Sequence, residues 1–248
     1  MSPFANSLIF AIAAAFANLL GGVIVTGHRW ALRSLRYFMA LGSGFMLGAI
    51  FLEMIPESIS HGPLNPTVFT SPTTLVLLGY LIVHTFEHTF ASHLHFGEET
   101  HHDEVTNPVV GISAMVGMMV HTYLDGVAIG AGFSIDQRVG FLVFLAVLLH
   151  KIPDGFTIAS IIVTSGYSTG WARAAAGVLG LSTLAGLVTV QMVPEIVPYA
   201  LPVSAGSLLY VAATDLMPEV NREIGVRMAL MVFAGMGFFL LIKLAVEV

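Results

Sequence analysis

Eight apolar stretches, each close to the length of a membrane-crossing helix, account for most of this chain. About 20 apolar residues in a helix span the hydrocarbon of a bilayer. Within lipid, only helices and closed barrels satisfy their own backbone groups. The stretches fall at roughly 4–27, 36–60, 72–94, 108–133, 138–164, 171–193, 202–220 and 226–246. The connectors are short and leave no room for a separate soluble domain. The expectation is an all-α polytopic membrane protein of eight transmembrane helices, with residues 1–248 as one transmembrane domain. Charged residues make up only 10% of the chain, against about 25% in an ordinary soluble domain. That excludes a soluble globular enzyme. A net charge of −6 excludes a basic nucleic-acid footprint, and the absence of cysteine excludes thiolate zinc sites and disulfides. No basic stretch precedes the first apolar run, Phe4 to Val25, so it reads as a retained span.

Turn residues mark the connectors. His61-Gly62-Pro63 follows the second stretch, Asn107-Pro108 opens the fourth, and Pro194 and Pro198 frame a gap after the sixth. Basic residues set the orientation. Arg29, Arg33, Arg36, Arg173, Arg222 and Arg227 fall in odd-numbered connectors, whereas Arg138 and Lys243 fall on the other side. The odd connectors are expected in the cytoplasm and both termini outside. The third connector, residues 93–107, is then a His-rich cytoplasmic loop.

Two internal repeats stand out. Gly44 to Glu57, with Glu53, Pro56 and Glu57, matches Gly206 to Glu219, with Asp215, Pro218 and Glu219, at a constant offset. His121-x-x-x-Asp125-Gly126 in the fourth stretch matches His150-x-x-x-Asp154-Gly155 in the fifth. In the expected topology the members of each pair run in opposite directions. Such pairs mark the inverted repeats of secondary transporters, whose substrate sites lie near the midplane.

The fourth and fifth stretches carry the chemistry. Four-residue spacing puts His121 with Asp125, and His150 with Asp154, on one face of each helix. Carboxylates at mid-membrane are costly unless paired, hydrated or bound to a cation. Imidazole with carboxylate suits Zn(II), Fe(II) or Mn(II). Met46 can add a thioether. Pro153 cannot donate to the Leu149 carbonyl and frees it to face a polar cavity. Gly126, Gly155 and Gly130 permit close helix approach. Lys151, about 100° round the helix from His150, can pair with Asp154 or Asp125. A helix-to-helix hydrogen bond and a metal-free proton relay are the rival readings of these residues.

These motifs resemble those of the ZIP (ZRT/IRT-like) metal transporters along essentially the whole chain. His121-Thr-Tyr-Leu-Asp125-Gly126-Val-Ala-Ile-Gly130 is similar to the family's fourth-helix motif, and His150-Lys-Ile-Pro153-Asp154-Gly155 to its fifth-helix motif. Phe51-Leu-Glu53-Met-Ile-Pro56-Glu57 and Leu209 to Glu219 resemble the second- and seventh-helix segments. The resemblance implies import of a divalent metal into the cytoplasm by an elevator-like movement. It implies helices one to three and six to eight as repeats around four and five, and a homodimer in the cell membrane. Zinc is the favoured cargo, with iron, manganese or cadmium as alternatives. The metal is substrate, and no cofactor is expected.

The chain departs from the family's two-metal pattern. Thr122 replaces an Asn, Lys151 an acid, and Thr183 stands where the sixth helix has a glutamate. The expectation is one metal, held by His121, Asp125, His150 and Asp154, with Met46 as a further ligand and Lys151 in the second metal's place. The family often has His at the position of Glu53, which makes Glu53 a metal-handling residue. Glu57, Asp215 and Glu219 extend the path, with Glu57 and Glu219 near opposite interfaces. His84, Glu87 and His88 share a face of the third stretch. That face leads to His93, His95, His101 and His102, an exit relay or metal sensor. An intramembrane zinc-dependent hydrolase is the rival function, since four ligands can leave room for water.

Overall fold

The computed structural model describes residues 3–27, 32–90, 108–222 and 225–247. His93, His95, His101, His102 and the rest of the connector at 91–107 lie outside the described residues. Among those described, the chain forms eight long helices and no strand. They are α1 (Pro3–Gly27), α2 (Leu32–Ala49, continued through Ile50–Met54 and Ile55–Ser60), α3 (Pro72–Phe90) and α4 (Pro108–Ile135). There follow α5 (Gln137–Thr164), α6 (Thr169–Met192), α7 (Pro194–Asn221) and α8 (Val226–Glu247).

Seven of the eight are long and apolar enough to cross a membrane. The exception is α3, where His84, Glu87 and His88 dilute the apolar run. The protein is a polytopic membrane protein.

One helix departs from the sequence expectation by more than a few residues. The seventh begins at Pro194, not at 202. Pro194 opens a 3-10 turn and Pro198 sits in the first turn of the α-helix that follows. Proline is accommodated at a helix start, where its missing N–H has no intrahelical partner to lose. The prolines therefore start α7 instead of framing a gap. Between α4 and α5 only Asp136 intervenes, and its side chain caps α5 by accepting from the Arg138 backbone N–H at 2.8 Å. At its far end α5 stops at Gly166, whose φ of +89° suits glycine.

Both α2 and α7 contain a π-helical turn, Ile50–Met54 and Val211–Leu216. Each holds the acidic residue of its repeat, Glu53 or Asp215, and each is followed by proline. Such turns recur at functional sites because they widen the helix and redirect side chains.

Glycines bring the helices together. A Cβ on Gly155 of α5 would overlap the Asn18 carbonyl of α1, and one on Gly126 of α4 would overlap the Thr183 carbonyl of α6. Gly21 and Gly186 meet α5 and α4 in the same manner. On the other side, Gly44 of α2 abuts Val232 and Gly235 of α8 abuts Leu41. Gly206 of α7 abuts Val76, and Gly79 of α3 abuts Val203. The helices thus form one tightly packed group of α1, α4, α5 and α6, and two pairs, α2 with α8 and α3 with α7. Close backbone approach supplies the packing that hydrophobicity cannot supply in lipid. The main apolar core, including Phe45, Ile50, Leu142, Val143, Leu208 and Val211, joins α2, α4, α5 and α7.

Candidate metal centre

The packing of α4 against α5 faces their two motifs across a shared seam. His121, Asp125, His150 and Lys151 are at most 1% exposed, and Asp154 is 6% exposed. The pairing crosses between helices. His150 Nε2 lies 3.2 Å from Asp125 Oδ2, and His121 Nε2 lies 3.5 Å from Asp154 Oδ2. His150 Nε2 is also 3.7 Å from Asp154 Oδ2.

Second partners fix both imidazoles. His121 Nδ1 is 3.0 Å from Glu87 Oε1 of α3. A carboxylate can only accept, so Nδ1 carries the proton and Nε2 offers its lone pair to the seam. His150 Nδ1 donates to the Ala146 carbonyl at 3.0 Å, which leaves its Nε2 pointing at two carboxylates. A neutral imidazole there would set lone pair against lone pair. A proton or a metal ion resolves the conflict.

Two ligand atoms in this seam, His121 Nε2 and Asp125 Oδ1, are buried with no hydrogen-bond partner among the described residues. Buried polar atoms are rarely left so. Ligand atoms of His121, Asp125 and Asp154 lie within 4.8 Å of one another and could hold a metal ion.

Lys151 reaches into the same seam. Its Nζ donates to Asp125 Oδ2 at 2.5 Å and to Asp154 Oδ2 at 3.3 Å. Sequence spacing allowed either carboxylate, and the ammonium bridges both. The Leu149 carbonyl, which Pro153 cannot bond, lies beside Gly42 of α2. Thr183 is buried and bonds to the Leu179 carbonyl at 3.3 Å. Met46 is fully buried in the apolar core.

Glu53, Glu57 and Glu219 lie away from the seam, towards the two ends. Glu53 is buried and forms an ion pair with Lys243 of α8, so it does not join the His121 group. It lines a cavity of about 340 Å³ with Glu57, His61, Asp136 and Arg138. Within it His61 Nδ1 is 2.9 Å from Glu57 Oε2. At the opposite end, buried Glu219 pairs with Arg222 at 2.9 Å and Arg36 at 3.6 Å. Glu57 and Glu219 thus occupy opposite ends of the bundle. Asp215 interacts electrostatically with Glu87, His121 and Asp154. Tyr210, beside Glu87 and Asp215, has its ring 5.9 Å from that of His84, and the His84 and His88 rings are 4.2 Å apart.

The residues that sequence reasoning missed are Lys243, read only as an orientation charge, and Tyr210. Glu87 was placed on the exit path, and its bond to His121 was not foreseen. Its three-residue spacing from His84 was a signal for the face, but no local pattern reveals which helix that face meets.

Comparison with known proteins agrees with this chemistry. The model of the family described as ZIP zinc transporters matches residues 97–243. Zinc transporter ZIP9 of Micropogonias undulatus is 25% identical, over 89% of this chain and 87% of its own length. Zinc transporter ZIP13 of Pongo abelii is 27% identical over 78% of this chain and 60% of its own, and zinc transporter YKE4 of Saccharomyces cerevisiae (strain ATCC 204508 / S288c) is 24% identical over 75% and 61%. With a buried His/Asp group at its centre and a family match across more than half its length, the chain belongs to the ZIP zinc transporter family, whose members are transporters rather than enzymes.

Proposed function

We propose that this protein imports zinc(II) into the cytoplasm, one ion at a time, through the seam between α4 and α5. His121, Asp125, His150 and Asp154 are the ligands, with Met46 as a further candidate from α2. The observation that carries the reading is the buried group of His121, Asp125 and Asp154, whose ligand atoms lie within 4.8 Å of one another. Asp125 Oδ1 is buried there with no hydrogen-bond partner among the described residues.

Residue identity supports a single ion. Lys151 already places one positive charge against Asp125 and Asp154, and Thr183 stands where a second ion would need an answering acid. Uncompensated charge there costs several kcal/mol. Lys151 thus acts as the second cation. Iron, manganese and cadmium suit the same donor set, because affinity alone does not select among first-row ions.

Alternating access follows from the repeat. The contacts of Gly155 with Asn18 and of Gly126 with Thr183 are related by the same offsets as Gly21 and Gly186. The α2–α8 and α3–α7 contacts correspond in the same way. This reciprocity supports α1–α3 and α6–α8 as inverted repeats about α4 and α5. The closely packed α1, α4, α5 and α6 make a natural moving body for an elevator-like step, against α2, α3, α7 and α8. On this reading the protein works in the cell membrane as a homodimer, as one transmembrane domain. The Asp136 end and both termini face outside, the Arg36 end faces the cytoplasm, and the 93–107 loop receives or senses the ion. Glu53 and Glu57 lie on the entry side, and Asp215, Glu219, His84, Glu87 and His88 on the exit side.

Radiozinc uptake into proteoliposomes tests the proposal. Saturable uptake is expected, and Asp125→Ala or His121→Ala should abolish it. Zinc-dependent hydrolysis without flux would overturn it in favour of the hydrolase.

A further inference from the structure

We infer that Lys243 is a tethered cation that plugs the route between the Asp136-end cavity and the metal seam, and so sets the apparent affinity for entering metal. The inference rests on the transport reading above.

Lys243 lies on α8, the helix with the smallest buried share of its apolar window, 11%. A lysine near a helix end would ordinarily extend to the membrane surface. Here the side chain turns inward. Its ammonium pairs with Glu53, itself 4% exposed, and donates to the Leu52 carbonyl at 3.1 Å. That carbonyl lies in the π-turn of α2. Pro56, four residues on, has no N–H to give it. The Glu53 carboxylate and this carbonyl oxygen make a seat for a cation, and Lys243 occupies it.

The seat lies on the route inward. Glu53 and Lys243 line the cavity, and so does Leu142 of α5, at 1% exposure. Leu142, Ala146 and His150 follow one another at four-residue spacing on one face of α5. Ala146 and His150 are fully buried. The cavity therefore closes at the depth of Leu142, with the ammonium beside it, two turns short of the His150 ring. An arriving divalent ion meets Glu53 already neutralised by a cation that cannot leave.

The matched position at the other end is different. The glycine contacts that relate α2 to α7 and α3 to α8 place Glu87 of α3 in correspondence with Lys243. Glu87 accepts from His121 and interacts electrostatically with Asp215. At one matched position stands an ammonium, and at the other a carboxylate.

The absence of cysteine makes the test direct. Leu142→Cys provides one thiol at the cavity floor, to be labelled in proteoliposomes by a small cationic methanethiosulfonate on the cavity side. Lys243→Ala should raise its labelling rate at least severalfold. Lys243→Arg should keep the slow rate, and the exchange Lys243→Glu with Glu53→Lys should restore it. In the cysteine-free protein, Lys243→Ala should lower the KM for zinc severalfold while leaving kcat within about twofold. Equal labelling rates with and without Lys243, or a fall in kcat at constant KM, would overturn the plug. The labelling readout needs no flux, so a protein that labels as expected but carries no zinc would contradict the transport reading and leave the plug standing.

Discussion

The π-turns of α2 and α7 are the same backbone device put to opposite electrostatic use. Each carries an acid, Glu53 or Asp215, and each is followed by a proline at the start of the next α-helical turn. Across from Glu53 stands Lys243, and across from Asp215 stands Glu87. Matched glycine contacts therefore need not bring matched chemistry. The glycine contacts of α2 with α8 and of α3 with α7 correspond, while the side chains facing Glu53 and Asp215 carry opposite charge.

The largest expected effect comes from making the two ends alike. Glu87→Lys sets a second ammonium beside His121, where it opposes both the imidazole and any arriving ion. Zinc uptake should fall beyond the roughly 100-fold that loss of an outer partner of a metal-bound histidine brings. Retention of more than a tenth of the parent's uptake would show that charge at this end does not matter. The milder Glu87→Gln keeps the shape and removes the charge, and equilibrium dialysis should read a zinc affinity about 10- to 100-fold weaker.

Lys151→Met tests the centre between the ends. Breaking a buried ion pair costs about 3–5 kcal/mol, so thermal unfolding in detergent should shift clearly downward. Uptake should fall more than for a lipid-facing lysine, and an unchanged melting curve with unchanged uptake would remove Lys151 from the counter-ion role. Smaller again is the packing comparison. Gly44→Ala and Gly206→Ala each drive a Cβ into a carbonyl of the neighbouring helix, and each should destabilise by about 1–3 kcal/mol. Matching losses at the two ends are expected. A loss confined to one would break the structural equivalence on which the comparison stands.

The eight helices and the candidate ligands of α4 and α5 were legible in the sequence, because both rest on local spacing. Apolar run length identifies a span, and four-residue spacing puts His121 with Asp125 and His150 with Asp154. The sequence could not resolve the crossing of those pairs, in which His150 meets Asp125 and His121 meets Asp154, because helix rotation is decided by contacts such as Gly155 on Asn18. Pro194 and Pro198 misled for a related reason. Proline breaks a helix it falls within but is welcome where one starts, and local sequence does not distinguish the two. Glu53 was credited as a metal-handling residue on its own repeat, and its partner Lys243, distant in sequence, could not be seen from that pattern.

Anomalous diffraction at the zinc edge from crystals grown with zinc distinguishes one metal ion, with Lys151 in place of another, from two. One peak per chain is predicted in the seam, within coordinating distance of His121 Nε2 and Asp125 Oδ1. Two peaks about 3.5–4 Å apart, the spacing of a two-metal site, or an empty seam with zinc seated elsewhere in the bundle, would contradict it.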